Sequence, residues 1–224
     1  MRAKFNAKHA VFSVIAIMMV YVIFHNERFV VEPENPVWQH YEPFKWWLLP
    51  HALAGTLMYL SAPLQFSEQL RKRFPRLHRI TGRLYVLSVF IVGPTGAYIQ
   101  YFEERMGFPR SFTVLAVIDA LLLMGTTLMG FVFAYRRKIA QHRQWMIRSY
   151  AVALVFVEAR FILGVTGWDR LGVEMVQAVI WSCLALSLLL ADLANHWSEI
   201  RAALRTPVTS AVQPKSLTGV AEPV

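Results

Sequence analysis

Two histidine–arginine pairs are the residues of this sequence whose types and spacing best predict chemistry. His78 and Arg79 precede one long apolar segment, and His142 and Arg143 precede another. If both segments enter a bilayer from the same side, the two imidazoles stand at one depth on facing helices. Imidazoles placed in this way can supply both axial ligands of a haem iron. The pattern favours a redox module that holds haem b, or alternatively a quinone, near one membrane surface.

Further arginines follow each pair and are expected near the same surface. A guanidinium group binds a carboxylate through two parallel hydrogen bonds, so arginines suit haem propionates. The alternative is an interfacial polar cluster that caps the helix entrances and contacts lipid phosphates. The candidate cofactor-binding residues are His78, His142, Arg79, Arg83, Arg143 and Arg148.

A second group of polar residues lies inside the apolar segments themselves. Charge in hydrocarbon is costly, so such residues usually face a protein interior and carry a function. Pairing of Arg160 with Asp119, or of Glu158 with His51, would form the buried relay of a small proton-coupled transporter. The candidate intramembrane cluster is His51, Asp119, Glu158 and Arg160.

Other kinds of chemistry find little support in the sequence. The motifs of serine hydrolases, zinc proteases and nucleotide-binding proteins do not occur, and the acidic residues near the histidines lack metal-ligand spacing. The single cysteine, Cys183, excludes a disulfide framework. We therefore predict neither catalytic residues nor a metal site formed by side chains alone, and a non-catalytic partner of another membrane protein is a third alternative.

Composition predicts that these residues are positioned by helices in lipid. Hydrophobic residues make up 56% of the chain and charged residues only 17%, a balance that soluble domains rarely show. The apolar segments approach the roughly 20 residues that a membrane-crossing helix needs. The predicted fold is an all-α, polytopic transmembrane helical bundle of about six helices, at 10–24, 46–66, 84–102, 111–135, 145–165 and 173–196.

The basic residues predict the orientation of this bundle. Of the 23 lysines and arginines, 17 fall on the side that holds the termini and only five on the other. Cytoplasmic loops carry such an excess, so both termini are expected in the cytoplasm. The net charge of +9 is therefore explained by topology, and no nucleic-acid partner is predicted. The expected organisation is a cytoplasmic N-terminus at 1–9, a membrane domain at 10–197 and a disordered cytoplasmic tail at 198–224.

Several sequence stretches carry a family resemblance. They are HALAG at 51–55, PLQF at 63–66, LHRITGRLY at 77–85 and HRQWMIRSY at 142–150. Together they resemble a bacterial family of predicted membrane proteins, domain of unknown function 2306, over about 49–160. The resemblance implies a multi-pass protein of the bacterial inner membrane and brings no activity. The last two stretches also resemble one another. Each has a histidine–arginine pair, then a second arginine and then a tyrosine, if one residue of slippage is allowed. This internal echo suggests two related helical hairpins.

Overall fold

The computed structural model describes residues 7–26 and 28–205, and this part of the chain folds into helices without any strand. Eight α-helices and three short 3₁₀ turns lie in the described ranges. This confirms the all-α prediction. The α-helices are α1 (Ala7–Asn26), α2 (Val37–Tyr41), α3 (Lys45–Gln65), α4 (Glu68–Arg73), α5 (Pro75–Arg105), α6 (Arg110–Tyr135), α7 (Ile139–Thr166) and α8 (Val173–Arg205).

Five of these helices, α1, α5, α6, α7 and α8, are long and apolar enough to cross a membrane. They cover five of the six predicted spans. The remaining one, predicted at 46–66, is the 21-residue helix α3, which is not among the five. The polar or helix-disrupting residues Pro50, His51 and Pro63 lower its hydropathy. It packs extensively against α5 and therefore belongs to the same bundle.

Several helices run beyond the predicted spans. Helix α5 has 31 residues and begins at Pro75, whose missing N–H suits the first helical position. Helix α8 has 33 residues and continues through 198–205, which corrects the prediction of disorder for that part of the tail. The alanines, leucine and arginines there are good helix formers, so nothing ends the helix at the edge of the apolar segment. The rest of the predicted tail, from 206, and residues 1–6 lie outside the described residues.

The long helices pack mostly in chain order. Helix α3 lies against α5, α5 against α6, α6 against α7 and α7 against α8, while α1 lies against α7. At one end of α1 the ring of Phe12 stacks with that of Tyr150, and nearer the other end Tyr21 meets Phe161 edge-on. Helices α1 and α7 therefore run in the same direction. Helix α7 has neighbours on three sides, and Val152 and Val155 on it are fully buried.

Candidate functional site

The two predicted histidines come together at the end of the bundle where α5 and α7 begin, and we call this pair the histidine site. His78 lies in the first turn of α5 after Pro75, and His142 lies in the first turn of α7. Both side chains are half-buried, and they are close enough for their charges to interact. Both histidines therefore lie at the end of the bundle where α5 and α7 begin, and their use as a pair of ligands stays a prediction.

The imidazole of His142 is held in one tautomer by the backbone of α6. Its Nδ1 donates a hydrogen bond to the Gly130 carbonyl over 2.8 Å. A carbonyl can only accept, so the proton is on Nδ1 and the Nε2 lone pair is available to a ligand. Histidines that bind metals almost always donate their other ring N–H in this manner. The arrangement gives His142 the geometry of a pre-oriented ligand.

His78 differs from His142 in that its Nδ1 atom makes no such hydrogen bond. Its Nδ1 atom is buried and finds no hydrogen-bond partner in the described part of the chain. A buried polar atom left in this state costs about 1–3 kcal/mol. The histidine site supplies two imidazoles at one end of the bundle, which is the type of donor that a haem iron takes from proteins.

The predicted arginines divide into two groups. Arg79, Arg83 and Arg143 are exposed at the end of the bundle that carries the histidine site. Arg148 instead binds α8, because its Nε donates to Asp192 Oδ1 over 2.7 Å and its guanidinium lies over the ring of Trp145. Arg148 therefore forms a contact between α7 and α8, and its role as a cofactor ligand stays a prediction.

A chain of buried hydroxyl groups lies two helical turns below the histidine site. Ser149 Oγ is 2.8 Å from the Tyr85 hydroxyl and 2.6 Å from Thr127 Oγ1, and all three residues are fully buried. Thr127 donates to the Leu123 carbonyl over 2.7 Å. The Tyr85 hydroxyl therefore donates to Ser149 Oγ, and the Ser149 hydroxyl donates to Thr127 Oγ1. We call these three residues the hydroxyl chain; it joins α5, α7 and α6.

The hydroxyl chain also joins the two stretches of the internal echo. The hydrogen bond between Tyr85 and Ser149 joins residues 64 positions apart, which is also the separation of His78 and His142. The echo itself, with its one residue of slippage, stays a prediction. Each hydroxyl residue follows its histidine by seven positions, which is two turns on the same helical face. That spacing was the available signal for this contact.

The close packing of Gly130 in α6 against Met146 in α7 leads to a testable prediction. A Cβ atom on Gly130 would lie 2.6 Å from Met146 Sδ and 3.3 Å from its Cγ, whereas one on Gly125 would meet nothing within 4 Å. We expect Gly130→Val to lower the free energy of unfolding by about 1–3 kcal/mol through overpacking. Gly125→Val in the same helix is the matched control. Thermal unfolding in detergent measures both, and equal effects would contradict the packing argument.

In the opposite half of the bundle, Tyr59 of α3 interacts electrostatically with two of the four predicted intramembrane residues, Asp119 and Arg160. The charge of Arg160 acts on both His51 and Tyr59, and that of Asp119 acts on Tyr59. Asp119 is only 6% exposed, and its Oδ1 atom has no hydrogen-bond partner among the described residues. We call His51, Tyr59, Asp119 and Arg160 the aspartate cluster.

Glu158 lies outside the aspartate cluster. Its Oε2 accepts a hydrogen bond from Ser187 of α8 over 2.7 Å. Residues two positions apart in a helix are rotated by about 200°, so Glu158 and Arg160 face different neighbours. The predicted pairing of Glu158 with His51 is thereby replaced by a contact between α7 and α8. The hydropathy pattern does not contain this information.

Comparison with known protein families gives a match. A family model described as "Predicted membrane protein (DUF2306)" matches residues 48–195. The matched region covers most of α3 and continues into α8, so it contains both the histidine site and the aspartate cluster. No curated protein and no solved structure matches the chain.

Proposed function

Since the chain belongs to the DUF2306 family of predicted membrane proteins, we propose that it is an integral membrane redox protein that binds haem b between His78 and His142. The observation that carries this proposal is the hydrogen bond from His142 Nδ1 to the Gly130 carbonyl, beside a second imidazole whose Nδ1 has no partner among the described residues. Bound haem would supply one-electron transfer.

The protein's own residues have separate tasks in this proposal. The Gly130 carbonyl orients the ring of His142 by accepting the Nδ1 proton, so Nε2 would remain to hold a bound haem. Arg79, Arg83 and Arg143 are exposed around the histidine site and offer cations to the two propionates. A neutral quinone would use the imidazoles but would have no need of three cations. This charge balance favours haem over a quinone at the histidine site.

The transporter hypothesis has weaker support from the geometry. A buried relay needs its polar groups around one path, whereas Glu158 faces Ser187 on α8 and Arg160 is exposed. The division of the four residues leaves no continuous set for alternating access. A redox module is therefore the better-supported function.

The absorption spectrum of the purified protein tests the proposal. Protein made in cells supplied with haem precursor is expected to carry a Soret band and about one haem b per chain, measured as its pyridine complex. Reduction with dithionite should shift the spectrum to that of a low-spin haem with two histidine ligands. A folded but colourless preparation from those cells would overturn the haem proposal.

We further propose that the protein lies in the bacterial inner membrane with both termini in the cytoplasm, on the basis of its basic loops. Cys183 is the single cysteine of the sequence, so a Cys183→Ala background should be silent towards a membrane-impermeant maleimide. In intact spheroplasts we expect Glu34→Cys to be labelled and Lys138→Cys to be labelled only after lysis. The reverse pattern would overturn the orientation.

A further inference from the structure

A cavity of about 270 Å³ lies between α5 and α6, at the end of the bundle opposite the histidine site. Tyr101 and Glu104 of α5 line one side of it, and Arg110 of α6 lines the other. Beside it, the Thr113 hydroxyl donates to the Gln100 carbonyl over 3.1 Å and joins the two helices. Tyr101 and Arg110 are exposed, so the cavity opens to the surroundings of the bundle.

The cavity carries two opposite charges that are not hydrogen-bonded to one another. Arg110 Nε is 3.9 Å from Glu104 Oε1. This distance exceeds the roughly 2.7–3.2 Å of an N–H···O hydrogen bond. The guanidinium therefore keeps donors for an anion, and the carboxylate keeps acceptors for a cation. A ligand that matches both groups carries a negative and a positive charge close together.

The rest of the cavity wall is largely apolar. Val114, Val117 and Ile118 follow Arg110 on one face of α6, because residues three and four positions apart in a helix are neighbours. At a rise of about 1.5 Å per residue, this face extends about 12 Å from Arg110. Tyr101 lies at the edge of the span predicted at 84–102, where aromatic residues mark the interface between membrane and water. The cavity therefore runs from that interface towards the hydrocarbon.

Charges at the interface and an apolar wall below them complement a phospholipid. We propose that the cavity binds a phospholipid with a primary ammonium head group, phosphatidylethanolamine, with its phosphate on Arg110, its ammonium on Glu104 and part of an acyl chain along α6. A primary ammonium donates N–H groups to a carboxylate. The quaternary ammonium of phosphatidylcholine has no N–H, and the head group of phosphatidylglycerol has no cation. The cavity should therefore prefer phosphatidylethanolamine to both.

This lipid site is separate from the histidine site. Glu104 lies 26 residues after His78 in the same helix. At a rise of about 1.5 Å per residue, the two residues are about 39 Å apart along α5. The inference therefore goes beyond the proposed haem function, and it can be tested in protein with or without bound haem.

Native mass spectrometry of the detergent-purified chain tests the proposal. The probes are phosphatidylethanolamine, phosphatidylcholine and phosphatidylglycerol with identical acyl chains, each added at the same concentration. We expect the complex with phosphatidylethanolamine to be about three-fold or more as abundant as either other complex, the effect of one exposed ion pair. Glu104→Gln should remove this preference. Arg110→Gln should lower the binding of all three lipids, because each carries a phosphate.

The matched control is the ion pair of Arg28 and Glu32. It lies at the same end of the bundle with 2.8 Å between Nη2 and Oε1, and neither residue lines the cavity. Arg28→Gln and Glu32→Gln should leave the preference unchanged. Equal binding of the three lipids to the unaltered protein, an unchanged preference in Glu104→Gln, or an equal loss in Glu32→Gln would overturn the proposal. If Glu104→Gln does not fold in a thermal unfolding assay, undiminished lipid binding in Arg110→Gln would equally overturn it.

Discussion

Replacing either His78 or His142 with alanine is expected to reduce the haem content of the purified protein by more than ten-fold. Each substitution would remove one of the two imidazoles proposed to hold the haem, and the single remaining imidazole would hold it more weakly. His142→Ala also leaves the Gly130 carbonyl without the proton that it receives from Nδ1. The measurement is the Soret absorbance per folded protein, with circular dichroism as the check on folding.

His196→Ala is the matched control for these two variants. His196 is also half-buried, and its Nδ1 also donates to a backbone carbonyl, that of Asp192, over 2.9 Å. What His142 has in addition is a second imidazole close by. We therefore expect the His196 variant to retain its haem. Equal haem loss in all three variants, or none in any, would contradict the assignment of the histidine site.

Replacing Ser149 with alanine is expected to lower the free energy of unfolding by about 1–3 kcal/mol, the cost of leaving buried polar groups unpaired. Ser149 is the middle member of the hydroxyl chain, so its loss leaves both the Tyr85 hydroxyl and Thr127 Oγ1 without their contact. Tyr85→Phe removes only the terminal donor and should cost less, about 0.5–1.5 kcal/mol. Reversible unfolding in mixed micelles measures the series.

The control for this series is Ser182→Ala. The Ser182 hydroxyl is exposed and donates to the Ala178 carbonyl of its own helix. Its removal therefore leaves no group on another helix without a hydrogen-bond partner. Interhelical hydrogen bonds in membrane proteins average about 0.6 kcal/mol in measured cases. The destabilisation by Ser149→Ala should exceed that by Ser182→Ala by at least this amount. If Ser149→Ala costs no more than Ser182→Ala, the hydroxyl chain does not hold α5, α6 and α7 together.

The sequence predicted the helices well because lipid imposes one strong requirement on it. A chain in hydrocarbon must satisfy its backbone hydrogen bonds within each segment, so apolar continuity reveals each long helix. Helix ends are less constrained, since a helix that leaves the bilayer continues for as long as its residues favour it. Helix α8 passes its predicted end and reaches Arg205 for this reason. The short helix α4 was not predicted, because its sequence is mostly charged and polar and has no apolar run. The Ser67 hydroxyl caps its first turn.

The candidate sites were predicted in part. The shared depth of His78 and His142 was predicted because each precedes an apolar segment by only a few residues, and in the fold their charges are close enough to interact. The rotation of each helix does not follow from hydropathy, so Glu158 was grouped with residues that it does not face. Thr127 gave no signal, because a threonine in an apolar helix usually bonds its own backbone, as Thr127 also does to Leu123.

The parallel contact between α1 and α7 has a consequence for how the protein is made. Phe12 meets Tyr150, so about 140 residues separate the partners, and synthesis at ~5–20 residues per second delays their meeting by roughly 7–28 s. During that interval α1 has already entered the bilayer while the helix it will pack on is still to be translated. The newly inserted helix α1 must therefore be surrounded by lipid or held by the insertion machinery until α7 has been synthesised.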